Sequence, residues 1–232
     1  MKNSIKQIAV SACALLLALG CSKDANQTTS TTTKPNLPHI NTQPLASLGQ
    51  SAFNLWGTCN GHPYDISGTN GICAPVGNCS TDIDAAQEAN GQNASGFQFN
   101  GCFKGGTAAN SSASEEAVFM CDNVTQWNGD EFGFVKTLND NVLKVYLQGG
   151  GQYIYHAIST GDNGYHTFKA QVRSSSSPST VDFYVDGNYV YTLTNSSGHY
   201  WENFDYMVET NHWYGGGNNS GQQIEMYNMT TY

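Results

Sequence analysis

Positive charge is scarce in this chain. Arg173 is its only arginine, and of nine basic residues four (Lys2, Lys6, Lys23 and Lys34) precede residue 49. Residues 49–232 keep Lys104, Lys136, Lys144, Lys169 and Arg173 against 17 acidic residues, the chain's 18 less Asp24. Such an imbalance argues against nucleic acid, anionic lipid and polyanionic sugars as partners, because each needs clustered cations. A neutral substrate or partner fits better.

Catalytic and metal signatures are also missing. There is no G-x-S-x-G elbow and no P-loop, and the Gly-rich stretches QGGGQ and YGGGNN lack the following helix that a phosphate cradle needs. No C-x2-C occurs and the six histidines are scattered, so no zinc site is expected. The stretches DNG (162–164) and TDID (81–84) offer calcium-type oxygens, but too few in one loop to specify a site. No cofactor is expected, with a structural calcium left open.

What is present begins with a leader. Lys2 and Lys6 precede an apolar run from Ile8 to Leu19, too short to span a bilayer and typical of a secretory signal. Cys21 after Leu19-Gly20 resembles a bacterial lipobox, which implies an acylated Cys21, contact with the membrane only through that anchor, and an outer-membrane or cell-surface location. Ordinary secretion without lipid is the alternative. The expected organisation is a signal peptide over 1–20, a Thr/Asn/Pro-rich tether over 21–48 and one domain over 49–232. The tether carries too little apolar surface to offset its ordering entropy. Export makes disulfides among Cys59, Cys73, Cys79, Cys102 and Cys121 an expectation, with one thiol left over.

Within the domain, strand patterns dominate. SGFQF, EEAVFMC, DEFGFV, NVLKVYLQ, QYIYHAI, YHTFKAQVR, TVDFYVDG, NYVYTL, NFDYMVET and QIEMYNMTTY are rich in β-branched and aromatic residues, separated by Gly, Asn, Ser and Asp. Only TDIDAAQEAN suggests a helical turn. Asp186-Gly187 between two alternating runs is a tight-hairpin signal. The expected fold is all-β, a two-sheet antiparallel sandwich or jelly roll.

YHTFKAQVRSSSSPSTVDFYVDGNYVYTL, the closing NFDYMVETNHWYGGGNNSGQQIEMYNMTTY and AVFMCDNVTQWNGDEFGFV together resemble the concanavalin A-like lectin/glucanase superfamily, and in particular the family sixteen glycoside hydrolases. The resemblance covers roughly residues 95–232 and implies a jelly roll with a saccharide cleft. Those enzymes carry E-x-D-x-(x)-E on one strand. Laid on DEFGFV, the first Glu falls on Glu131, the Asp on Gly133 and the second Glu on Val135 or Lys136. One of three functional positions therefore survives.

Alternation sends Phe132 and Phe134 to the core and Glu131 to the opposite, cleft face, and the missing side chain of Gly133 leaves a gap beside it. In NFDYMVETNHWY, alternation groups Asp205, Met207, Glu209, Asn211 and Trp213. If that set faces the cleft, Glu209 can partner Glu131 as a replacement catalytic dyad, while Asn211 and Trp213 can bind sugar. Trp127, Trp201 and Tyr214, in polar or Gly-rich loops, are further candidate sugar platforms. Three functions stay open: a surface-anchored carbohydrate-binding domain for a neutral polysaccharide or oligosaccharide, a divergent endo-acting glycoside hydrolase using Glu131 and Glu209, and a structural or adhesive envelope protein.

Overall fold

The computed structural model describes residues 44, 46–58, 63–75, 82–91, 94–105, 115–122, 130–137, 142–160, 163–174, 179–195, 204–213 and 222–232. The calls on Cys21, Trp127, Trp201 and Tyr214 lie outside these residues, as do those on the signal peptide and most of the tether. Fifteen strands run through the described segments. The early ones are β1 (Ala46–Leu48), β2 (Phe53–Gly57), β3 (Tyr64–Asp65), β4 (Ile72–Pro75) and β5 (Asp82–Glu88). Then come β6 (Gly96–Lys104), β7 (Glu115–Cys121), β8 (Glu131–Thr137), β9 (Val142–Gly149) and β10 (Gln152–Thr160). The series closes with β11 (His166–Ser174), β12 (Ser179–Val185), β13 (Asn188–Asn195), β14 (Tyr206–Trp213) and β15 (Gln223–Thr231).

They form two antiparallel sheets. The front sheet has the order β10-β9-β8-β7-β14-β5-β2, and the back sheet the order β13-β12-β11-β6-β15-β4-β3 with β1 paired to β15. Every one of the ten sequence-predicted strands is present, as β6 to β15. The TVDFYVDG and NYVYTL strands are adjacent, joined at Asp186 (φ 51°) and Gly187 (φ 74°). Two consecutive positive φ values are what a type I′ turn requires.

The predicted helical turn in TDIDAAQEAN is instead strand β5, next to the sheet edge, paired on one side with β14 and on the other with β2. Sheet pairing of both edges overrides the segment's weak helical propensity. The ladder also starts earlier than composition suggests: Ala46 to Leu48 pair with Thr231 to Met229, so these residues belong to the domain and not to the tether.

The core lies between the sheets and is built on phenylalanine. Phe97, Phe99, Phe103, Phe132, Phe134, Phe168, Phe183 and Phe204 are all buried. Phe99 and Phe168 stack at 5.0 Å, and Phe132 meets Phe204 edge-on at 4.8 Å. One end of this interior is polar. Asp84, Asn211, Glu116 and Lys136 lie side by side across β5, β14, β7 and β8, all fully or almost fully buried. Lys136 Nζ donates to Phe103 O (2.8 Å) and Asn163 Oδ1 (2.7 Å), tying the front sheet to the back one. Asn211 does the same, donating to Ala74 O (3.0 Å) and accepting from Gln222 Nε2 (2.5 Å).

The expected disulfides do not involve the described cysteines. Cys73, Cys102 and Cys121 are buried and form no disulfide. Cys73 and Cys102 flank Glu225 on either side of β15. Two strand spacings put their α-carbons roughly 10 Å apart, beyond the reach of about 7 Å that an S–S bond allows. Cys121 belongs to the other sheet.

Candidate functional site on the front sheet

The outer face of the front sheet is set by the register of β8. Phe132 and Phe134 enter the sandwich, so Glu131, Gly133 and Val135 point away from it. Pairing carries that face across the sheet. Cys121, Phe119 and Ala117 of β7 stand opposite these three residues, and Gln148, Tyr146 and Lys144 of β9 stand on their other side. Beyond β9 come Tyr153 and Tyr155 of β10. Beyond β7 come Tyr206, Val208, Thr210 and His212 of β14, then Ala85 of β5 and Trp56 of β2.

The floor of this face is apolar. Ala117, Phe119, Cys121, Val135, Tyr146 and Val208 form a second buried cluster, with Tyr206 packed against it. Gly133 leaves no open gap. A Cβ placed there would meet Val118 O and lie 2.6 Å from Phe119 Cβ. The space that the sequence assigns to a ligand is thus filled by the facing strand.

Glu131 sits at the edge of that floor. Burial is the main cause that pushes its carboxyl pKa up to about 8, helped by the negative charges of Glu115 and Asp122, while the Tyr146 hydroxyl, hydrogen-bonded to it, works the other way. It is therefore a neutral acid at pH 7. Glu115 is raised by burial too, with Lys144 opposing. His212, 3.8 Å from Glu115, is lowered to about 4 by burial and is neutral, so the two do not form an ion pair at pH 7.

The tyrosines make a strip. Tyr146 and Tyr153 rings lie 5.7 Å apart, and Tyr153 and Tyr155 rings 5.9 Å apart. Tyr153 is 50% exposed and Tyr155 57%, although aromatic rings of this size usually bury most of their area. Lys144 Nζ lies 5.6 Å from the Tyr155 centroid and donates to Thr137 Oγ1 at 2.7 Å.

The proposed dyad is not formed. Glu209 stands opposite Val118 and Ala86, on the face of β14 that turns into the sandwich, and it is fully buried. The condition that its set faces the cleft is not met: Met207, Glu209 and Asn211 point inward, and Tyr206, Val208, Thr210 and His212 point outward. Burying Met207 against the core decides that register. Asn211, taken as a sugar ligand, is the inter-sheet bridge already described. Trp213 ends β14, and the call on its side chain lies outside what the structure describes.

Glu115 is the second carboxylate that the outer face does offer, yet it pairs with Thr137, six residues along β8 from Glu131. At about 3.3 Å per residue, that separates the α-carbons by roughly 20 Å. Two glutamate side chains do not close such a span to the ~5–5.5 Å of a retaining pair. Among the described residues no group of three or more His, Cys, Asp or Glu side chains is placed to hold a metal ion.

Tyr146, Tyr153, Tyr155, Glu115 and His212 were not singled out from the sequence. Alternation in QYIYHAI could have found two of them, since Ile154 packs on the core and must leave Tyr153 and Tyr155 outside.

No protein-family model and no curated protein matches the chain. Solved structures do. A Bacillus licheniformis β-glucanase superposes with a TM-score of 0.55 at 13% identity, over 82% of this chain and 95% of that one. A glycosyl hydrolase family protein from Mycobacterium fortuitum gives 0.52 at 12% identity, over 71% and 76%. A prokaryotic β-1,3-1,4-glucanase (lichenase) from a mouse hindgut metagenome gives 0.50 at 9% identity, over 78% and 99%. The fold is concanavalin A-like. At these identities the likeness concerns the jelly roll alone. The catalytic question on this concanavalin A-like front sheet rests on its own carboxylates.

Proposed function

We propose that the outer face of the front sheet binds non-anionic poly- or oligosaccharide chains without cleaving them, on a domain anchored to the bacterial surface through an acylated Cys21. The observation that carries the reading is the strip Tyr146–Tyr153–Tyr155, with two exposed rings beside a single neutral carboxyl. Tyrosine faces stack on the C–H face of a pyranose. A protonated Glu131 both donates to and accepts from sugar hydroxyls. The glucanase likeness of the fold supports a saccharide as the ligand class.

The test uses neutral glucans, xylan and galactan, with binding and reducing-end release measured together. Binding without release is expected. Tyr153→Ala and Tyr155→Ala should each weaken it by about 0.5–1.5 kcal/mol, up to roughly tenfold. No binding to any saccharide overturns the reading. Mass spectrometry of the chain expressed in a bacterial host checks the anchor: a diacylglyceryl group on Cys21 is expected, and a lipid-free mature N-terminus elsewhere removes it.

One observation favours a second reading, a divergent glycoside hydrolase. A carboxyl held protonated at pH 7 is what a general acid needs. Reducing-end release that disappears in Glu131→Gln and persists in Glu209→Gln is the result that would establish it.

A further inference from the structure

We infer that the saccharide recognised by the tyrosine strip carries free amino groups, so that Glu131 and the strip together receive a sugar ammonium. This rests on the binding reading above and narrows its ligand class.

The argument starts from where the positive charge has gone. All five basic side chains of the domain are engaged. Lys104 donates to Glu225 (3.0 Å), Lys136 is inside the sandwich on Phe103 O, and Arg173 Nε donates to Asp182 (2.6 Å). Lys169 Nζ lies over the Tyr232 ring at 4.1 Å, and Lys144 holds Thr137 and Tyr155. Among the described residues no cation is one of the groups that act on Glu131. The groups facing it are Cys121 from β7, Asp122 just after it, Gln148 and Tyr146 from β9, and Tyr153 from β10, while the charge of Glu115 acts on it from the far end of β7. Two of these are carboxyl-bearing, and the basic group on the same face, Lys144 of β9, is taken up by Thr137 and Tyr155 and acts on Glu115.

A neutral chain would satisfy the rings and leave that imbalance as it is. An ammonium satisfies both. It forms a charge-assisted bond with the carboxylate, and tyrosine faces attract it through the ring quadrupole. The strip already shows this affinity, because the one ammonium within its reach, that of Lys144, is placed against Tyr155. The neutral carboxyl fits as well. An approaching ammonium favours the ionised form, so Glu131 gives up its proton on binding. Acetylated or hydroxylated sugars lack the charge to draw it off. The wider acidity of the domain, 17 acidic residues against five basic, draws a polycationic chain in and repels uronic acids.

The experiment is calorimetric titration of the full chain at about pH 6, where Glu131 and the sugar amine both hold their protons. The probes are a glucosamine tetrasaccharide, its fully N-acetylated counterpart, a neutral glucan tetrasaccharide and a lysine tetrapeptide. The glucosamine chain should bind at least about tenfold more tightly than the other two sugars, weaken as salt rises, and release protons on binding in buffers of differing ionisation enthalpy. Glu131→Gln should cut the preference to within about twofold and abolish the proton release. If the acetylated or neutral chain binds as well as the amine, this inference fails and the saccharide reading stands. If the lysine peptide binds as tightly as the amino sugar, the sugar part of the inference fails. If no sugar binds, both fail together.

Discussion

At the scale of single residues, the carboxyls make the sharpest predictions. The raised pKa of Glu131, near 8 against an ordinary value of 4.5, means that its carboxyl carbon should titrate by NMR around pH 8. A resonance that titrates between about 4 and 5 would show a solvated side chain. Glu209 is buried between the sheets, its oxygens have no hydrogen-bond partner among the described residues, and burial raises its pKa well above the usual range. The folded state therefore holds this proton after the unfolded chain has lost it. Stability from Glu209 is complete below about pH 4.5 and is lost as pH rises towards the folded value, at up to about 1.4 kcal/mol per pH unit. In Glu209→Gln that slope should flatten, measured as denaturant midpoints at stepped pH. An unchanged slope would mean that Glu209 is ionised in the fold.

The elements β7 and β8 are locked together by one missing side chain. Gly133 lies flat against Phe119, and any Cβ added there collides with backbone and side chain of β7. Gly133→Ala should cost about 1–3 kcal/mol, the usual range for overpacking, seen in a denaturant titration, and loss of stability below about 0.5 kcal/mol would show that the strands can separate slightly without penalty. The same packing explains why the face carries so few catalytic groups. Where a carboxylate two residues after Glu131 would stand, the strand instead accepts a phenylalanine from its neighbour. At the hairpin, Gly187 (φ 74°) admits no β-branched side chain without strain. Gly187→Val should lower stability by about 1–2 kcal/mol while leaving saccharide binding on the other sheet intact.

Over the whole molecule, buried groups respond to pH in opposite directions, and His212 on the front sheet, lowered by burial, costs stability as pH falls below its ordinary value. Burial raises Glu116 and Glu209 in the interior and Glu131 on the front, so these favour the acid side. Glu225, on the back sheet, is raised by burial but lowered more by hydrogen bonds from Tyr165, Tyr227 and Lys104, and its pKa ends below the ordinary value. Its contribution is present above about pH 4.5 and disappears as pH falls through the lower folded value. Thermal unfolding followed by circular dichroism should therefore show a stability maximum on the mildly acidic side, with Glu225→Gln softening the acid limb. A maximum at alkaline pH would contradict the burial of the three raised carboxyls.

Local pattern determined a good deal of this protein on its own. The alternation in β6 to β15, the Asp186-Gly187 turn and the inward direction of Phe132 and Phe134 were all legible, because a period of two and a glycine in a left-handed turn are properties of the chain itself. The early strands β1 to β5 were not legible. They are short, polar or alanine-rich, and take strand geometry from partners far along the chain, as β1 does from β15. The site was the hardest part. Alternation divides β14 into two faces, but only the packing of Met207 into the core shows which face is outside. Whether Gly133 is a gap or a filled contact depends on Phe119 of another strand. The distance between Glu131 and Glu115 comes from pairing register. Such facts belong to pairs of strands brought together by folding, so tertiary structure alone could decide them.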